Sequence, residues 1–233
     1  MIENLKLTPR LRAAAELVSE GAFVADVGTD HAYLPIALCL EGKIRGGVAS
    51  DINDGPIERA RENINKYGLF DRLCAVRTDG LAGIEGYHPD HVMILGMGGE
   101  LIARILSDAP WTKDGGIRLC LQPMTHPEKL RAFLAENGYC ITDEKIVVEE
   151  KENKIYQIIA ASYSGEVKHL TDEELLLGKI NIRRGGEELL RLASTYENAL
   201  NRRIDGKREA GADVSCELAL IERIRAATRG EII

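Results

Sequence analysis

The 233-residue sequence has no CxxC pair, no excess of basic residues, no internal repeat, and no apolar run near the roughly 18 residues of a membrane helix. Each absence excludes something. Cys39, Cys74, Cys120, Cys140 and Cys216 are scattered, an odd set that offers neither a disulfide framework nor a zinc site and fits a reducing compartment. A net charge of −7 gives no general affinity for a polyanion, so any contact with nucleic acid must come from a local patch. No basic N-terminal segment leads into an apolar stretch, as a secretory signal would. These features predict a soluble, cytoplasmic protein with no metal and no membrane partner. Hydrophobic residues make up 45% of the chain, enough for a full core.

What is present is organised around Ala22 to Pro35, AFVADVGTDHAYLP. Phe23 to Val27 reads as a short buried strand, Gly28 as a sharp turn, and a helical pattern begins at Tyr33. Gly46 to Ser50 reads as a second strand ending on Asp51, 23 residues beyond Gly28. A carboxylate there is placed to accept both hydroxyls of a ribose. The second and third glycine places of the dinucleotide fingerprint hold Asp30 and Tyr33 instead. A carboxylate at Asp30 would repel a pyrophosphate. The pattern therefore disfavours NAD and FAD and fits S-adenosylmethionine, whose ribose suits Asp51 and whose amino group and sulfonium suit Asp26 or Asp30. Asp30 as a plain helix cap is the competing reading.

The βα alternation continues. Thr8-Pro9 opens a helix over Leu11, Ala14, Ala15 and Val18, expected to cover a sheet edge, with Lys6, Arg10 and Arg12 on a solvated face. Gly55-Pro56 opens another, carrying Ile57, Ala60 and Ile64. The strand Arg72 to Arg77 runs into Asp79-Gly80, where Asp79 either meets the exocyclic amine of an adenine or is an ordinary turn residue. The strand His91 to Leu95 enters Gly96-Met97-Gly98-Gly99, read as a loop that something approaches closely. Ile117 to Leu121 is a fifth strand, followed by a helix over Pro127 to Asn137. Tyr139 to Val148 and Ile155 to Ser162 form an antiparallel pair joined through Glu149 to Asn153. Five βα repeats ending in an antiparallel pair predict an α/β sheet with a reversed edge strand.

From about Leu170 no strand pattern remains. Leu189, Ala193, Tyr196, Leu200 and Ile204 recur at helical spacing, as do Leu218, Ile221 and Ile224 after a break near Gly206 to Asp213, which predicts a helical hairpin. Residues 170–233 hold 11 Lys/Arg against 12 Asp/Glu, with Arg202, Arg203, Lys207 and Arg208 clustered at the tip. A basic tip on a projecting hairpin suits phosphate contact. Every candidate cofactor loop precedes Gln122, so loss of the tail is expected to spare cofactor binding.

DVGTDHAYLP, SDINDGP, TDGL, ILGMGGELI and LQP together resemble the bacterial tRNA methyltransferases that modify N1 of adenine 22. The resemblance covers nearly the whole chain. It implies a Rossmann-like class I S-adenosylmethionine enzyme with a seven-stranded sheet whose last strand is antiparallel, a catalytic domain over 1–165, and a helical hairpin or coiled coil over 170–233 that contacts tRNA. A monomer is expected. Cofactor contacts are implied for the loops holding Asp26, Gly28 and Asp30, Asp51 and Ile52, Asp79 and Gly80, and Gly96, Met97 and Gly98. The Asn/Asp-Pro-Pro-aromatic tetrapeptide of enzymes that methylate exocyclic amines is missing. The chemistry accounts for that, because N1 of adenine has an in-plane lone pair and can attack the sulfonium methyl directly. What remains is alignment and a carboxylate near the base to balance the arriving charge, for which Asp30 is the candidate catalytic residue with His31 positioning it. The alternatives are a class I methyltransferase acting on a protein or small molecule, and a cofactor- or RNA-binding module without turnover.

Overall fold

The structure, a computed structural model, describes residues 5–230. Its centre is a seven-stranded sheet in the order β3-β2-β1-β4-β5-β7-β6. The strands are β1 (Ala22–Val27), β2 (Ile44–Asp51), β3 (Leu73–Arg77), β4 (His91–Gly98), β5 (Arg118–Thr125), β6 (Tyr139–Glu149) and β7 (Lys154–Tyr163). β1 to β5 are parallel, and β7 enters between β5 and β6, antiparallel to both. The seven strands and the reversed last strand are as the resemblance implies, but the reversed strand is not at the edge as the pattern predicts: β7 is interior and β6, running with β1 to β5, forms the edge.

Helices cover both faces, as parallel strands require. On one lie α1 (Pro9–Glu16), α2 (Tyr33–Leu40) and α3 (Asp54–Lys66), which bury Ala14, Leu34, Ile36, Ile57 and Ile64 against Met93 and Ile158. On the other lie α4 (Gly99–Ser107) and α5 (Pro127–Glu136), which bury Ile102, Leu106, Leu130 and Leu134 against Ile94 and Leu119. α1 starts as its sequence dictates: the Thr8 hydroxyl accepts from Leu11 N–H and Pro9 takes the first turn. Ala14 and Ala15, both 1% exposed, are small enough to let the helix lie close over β5, β7 and the edge strand β6.

The C-terminal third holds α6 (Asp172–Leu177), α7 (Lys179–Arg184), α8 (Glu187–Glu209) and α9 (Ser215–Thr228). α8 and α9 form the expected hairpin, though α8 runs straight through Gly206. α6 and α7 are too short to show a helical period. α6 is fixed by a capping box between Thr171 and Glu174. This third shares its interior with the sheet: Leu177, Leu189, Leu192, Ala193 and Ile224 pack against Ile146 of β6 and Ile155 of β7. Beneath lies a fully buried ion pair, Arg131 Nε to Glu144 Oε1 at 2.7 Å. Arg131 also donates to Leu175 O (2.8 Å) and Gln157 Oε1 (2.8 Å), and Glu144 Oε2 accepts from Ile180 N–H (2.9 Å). A buried pair is tolerable only when its remaining donors and acceptors are satisfied, and here the appendage supplies two of the partners.

Candidate active site

The carboxyl ends of β1, β4 and β5 open on one cleft of about 310 Å³, where open α/β sheets bind ligands. Asp26, Gly28, Asp30, Tyr33, Leu34, Leu95, Gly96 and Met124 line it together with Arg10 and Leu11 of α1. Four residues singled out from sequence, Asp26, Gly28, Asp30 and Gly96, thus meet at one place.

The turn after β1 follows from local bonding. Gly28 and Thr29 donate their backbone N–H groups to Ser50 O (2.8 and 2.9 Å), tying the turn to the end of β2. Gly28 has φ +71°, and a Cβ there would fall 2.1 Å from Met97 Cε, so the glycine admits the Met97 side chain. Asp26 is buried; its Oδ2 accepts from the Thr29 hydroxyl at 2.6 Å, and burial pushes its carboxyl up to about 6. Thr29 Oγ1 in turn accepts from Ala32 N–H at 3.1 Å. Asp30 projects outward, its Oδ1 3.0 Å from His31 Nε2. It does not cap α2: Ala32, in a left-handed conformation, holds the cap position and no side chain bonds there.

Asp51 and Ile52 stand one strand along the same edge. Asp51 Oδ1 accepts from the backbone and side chain of Asn53 (2.7 and 3.0 Å), and Ile52 is 53% exposed. Asp79 and Gly80 lie a further strand away and do not line the cleft. Asp79 O accepts from Ala82 N–H, and Gly80 packs on Ile105. The Gly96 to Gly99 stretch is not a loop. β4 continues through Gly98, pairing Met97 with Pro123 and Gly98 with Thr125 of β5. At Gly99 the close approach is the chain's own, since a Cβ there would lie 2.2 Å from His126 O.

Sequence reading missed Arg10. Its side chain turns inward, donating from Nη1 to Gln122 Oε1 at 2.6 Å and lying 5.3 Å above the Tyr156 ring, while Arg12 pairs outward with Glu41. Gln122 is fully buried and donates to Pro123 O. The signals were present in Thr-Pro-Arg and Gln-Pro, but only the fold brings them together. Among the described residues no group of His, Cys, Asp and Glu could hold a metal, and no helix is long and apolar enough to cross a membrane.

Residues 7–159 match the family model of a methyltransferase domain. The chain belongs to the methyltransferase family. Within it, this methyltransferase is 39% identical over 160 residues to the tRNA (adenine(22)-N(1))-methyltransferase of Bacillus subtilis strain 168, covering 69% of the chain and 66%, just under two thirds, of that relative's length. Its structure superposes on the crystal structure of the B. subtilis m1A22 tRNA methyltransferase with a TM-score of 0.81 at 29% identity, over 97% of both chains. A Streptococcus pneumoniae protein solved in complex with S-adenosyl-L-methionine gives 0.83 at 28% identity, covering 96% of this methyltransferase and all of that chain. The methyltransferase fold read from the motifs is the family found.

Proposed function

We infer that this protein transfers a methyl group from S-adenosylmethionine to N1 of adenine 22 in tRNA. The observation that carries the reading is the cleft itself, in a chain whose relatives carry that activity in their names. It gathers two carboxylates and a guanidinium around a glycine turn. The donor set fits the cofactor. Asp51, one oxygen held by Asn53, presents the other to ribose hydroxyls. Asp26 is a buried carboxyl without a cation, which an ammonium would complete. Arg10, lining the same cleft, brings a guanidinium suited to the cofactor's carboxylate. Gly96 and Gly98 keep the β4 wall thin, and exposed Ile52 offers an apolar surface to an adenine.

The bound cofactor supplies an electrophilic methyl on a sulfonium. The protein's part is alignment and charge. Asp30 stands at the mouth with its side chain 89% exposed, free to approach a base. From there its carboxylate balances the positive charge that methylation puts on the ring and takes the N6 proton of the product. N1 is engaged in a Watson–Crick pair, so the enzyme acts on an unpaired or extruded base. Five free thiols suit a cytoplasmic setting. The exposed apolar residues Phe70, Val167, Leu190 and Leu218 lie on four different segments, which suits a monomer.

The test is mass spectrometry of nucleosides from tRNA incubated with protein and cofactor. We expect 1-methyladenosine, mapped to position 22. No methylated nucleoside, or methylation of another atom, would refute the reading.

A further inference from the structure

The cleft mouth carries two side chains for which methyl transfer alone provides no task. Tyr33 and Met124 line it beside Asp26, Asp30 and Gly96, and they remain 37% and 46% exposed. The His31 ring stacks on that of Tyr33 with centroids 5.2 Å apart and planes within 5°. Tyr33 lines the cleft and His31 does not, so the stack leaves part of the tyrosine ring to the opening.

The backbone is shaped to achieve this. His31 and Ala32 have φ of +61° and +57°, successive side-chain-bearing residues in the left-handed region. Three bonds hold them there: Asp30 Oδ1 to the His31 ring, Asn63 Nδ2 donating to His31 O (3.0 Å), and Ala32 N–H donating to Thr29 Oγ1. Such backbone persists only where its surroundings impose it, and it concentrates at working sites.

We propose that Tyr33, stacked on His31, and Met124, which lines the same cleft, form the platform on which the target adenine stacks once it leaves its helix. This rests on the adenine-methylating function inferred above. A flipped base exposes two π faces, and proteins hold such bases on aromatic rings and apolar walls. A thioether suits the second wall because it is polarisable and adaptable. Asp30, adjoining the platform, meets the edge of the same base. His31 is then a positioning residue that acts through Tyr33.

The test compares the full-length protein with Tyr33→Ala, Tyr33→Phe, Met124→Ala, His31→Ala and the Tyr33→Ala/His31→Ala pair. It measures kcat and KM for tRNA, and S-adenosylmethionine affinity by calorimetry. Loss of one base stack corresponds to a fall of roughly 5- to 150-fold in kcat/KM for Tyr33→Ala. Tyr33→Phe should stay near wild type, Met124→Ala should fall less, and all variants should bind cofactor within about twofold of wild type. His31→Ala should lower kcat/KM alone and cost less on top of Tyr33→Ala than by itself, the remainder being its bond to Asp30. Wild-type kcat/KM in Tyr33→Ala overturns the platform, as does a parallel loss of cofactor affinity, which would make Tyr33 a cofactor wall. A wild-type chain that forms no 1-methyladenosine overturns the underlying function as well, and the two failures are distinct.

Discussion

Asp26 is a carboxyl that burial has left short of a positive partner. Its folded value of about 6 stands above the ordinary 3.8, so between those pH values the folded chain keeps a proton that the unfolded chain has released. Its contribution to stability is therefore greatest below pH 4 and declines as pH rises through 6, by about 3 kcal/mol for the full shift. His91 works in the opposite sense. Burial, with Arg118 nearby, lowers it to about 4, so its contribution declines as pH falls from 6.5 toward 4. The two nearly offset each other in a melting curve, but ligand binding separates them. An ammonium engages only ionised Asp26, so S-adenosylmethionine affinity should rise about tenfold per pH unit up to pH 6 and then level off. Calorimetry at pH 5 and 7 checks this. Asp26→Asn should weaken binding and flatten the profile, whereas equal wild-type affinity at both pH values removes Asp26 from the cofactor's amino group.

At the scale of elements, the β4–α4 junction distinguishes two adjacent glycines. Gly98 has ordinary extended backbone, and a Cβ there meets only Thr125 Oγ1 at 3.2 Å. At Gly99 the obstacle is the carbonyl of His126, which cannot rotate away. Gly99→Ala should therefore cost about 1–3 kcal/mol of stability, while Gly98→Ala stays near neutral; urea titration of both variants decides. The strand–turn–helix units were legible because their signals are local: an apolar run, then Gly-Asp punctuation, then an amphipathic period. β4 was read short because three glycines in four places look like a loop, and only the pairing of Met97 and Gly98 with β5 shows that they extend the strand. α6 and α7 were invisible for the opposite reason, being too short to display a period. Arg10 and Gln122 lie 112 residues apart, and no local pattern could join them.

At the scale of the molecule, the hairpin is not a detachable tail. Without residues 170–233, Ile146 and Ile155 would be uncovered, and the buried Arg131–Glu144 pair would lose Leu175 O and Ile180 N–H. Point changes at the tip are therefore the sounder probe of tRNA contact. The four tip cations are not equivalent. Arg203 Nε and Lys207 Nζ both pair with Glu217 Oε1 (3.0 and 2.6 Å), holding α8 to α9. That leaves Arg202 and Arg208 as the candidates for phosphate. Replacing both with Ala should reduce the slope of log K against log salt by about 1.5 and leave cofactor affinity unchanged. An unaltered slope would put tRNA recognition elsewhere.

The entry of β7 between β5 and β6 also governs how the chain is made. Among the described residues β6 pairs with β7 alone, the next strand to leave the ribosome, while the edge that carries the candidate cofactor cleft is complete in sequence by Thr125. At about 5–20 residues per second, β6 waits on the order of one to three seconds with its ladder unmade. Birth order thus runs from the reaction centre outward, and the flank that carries the hairpin closes last.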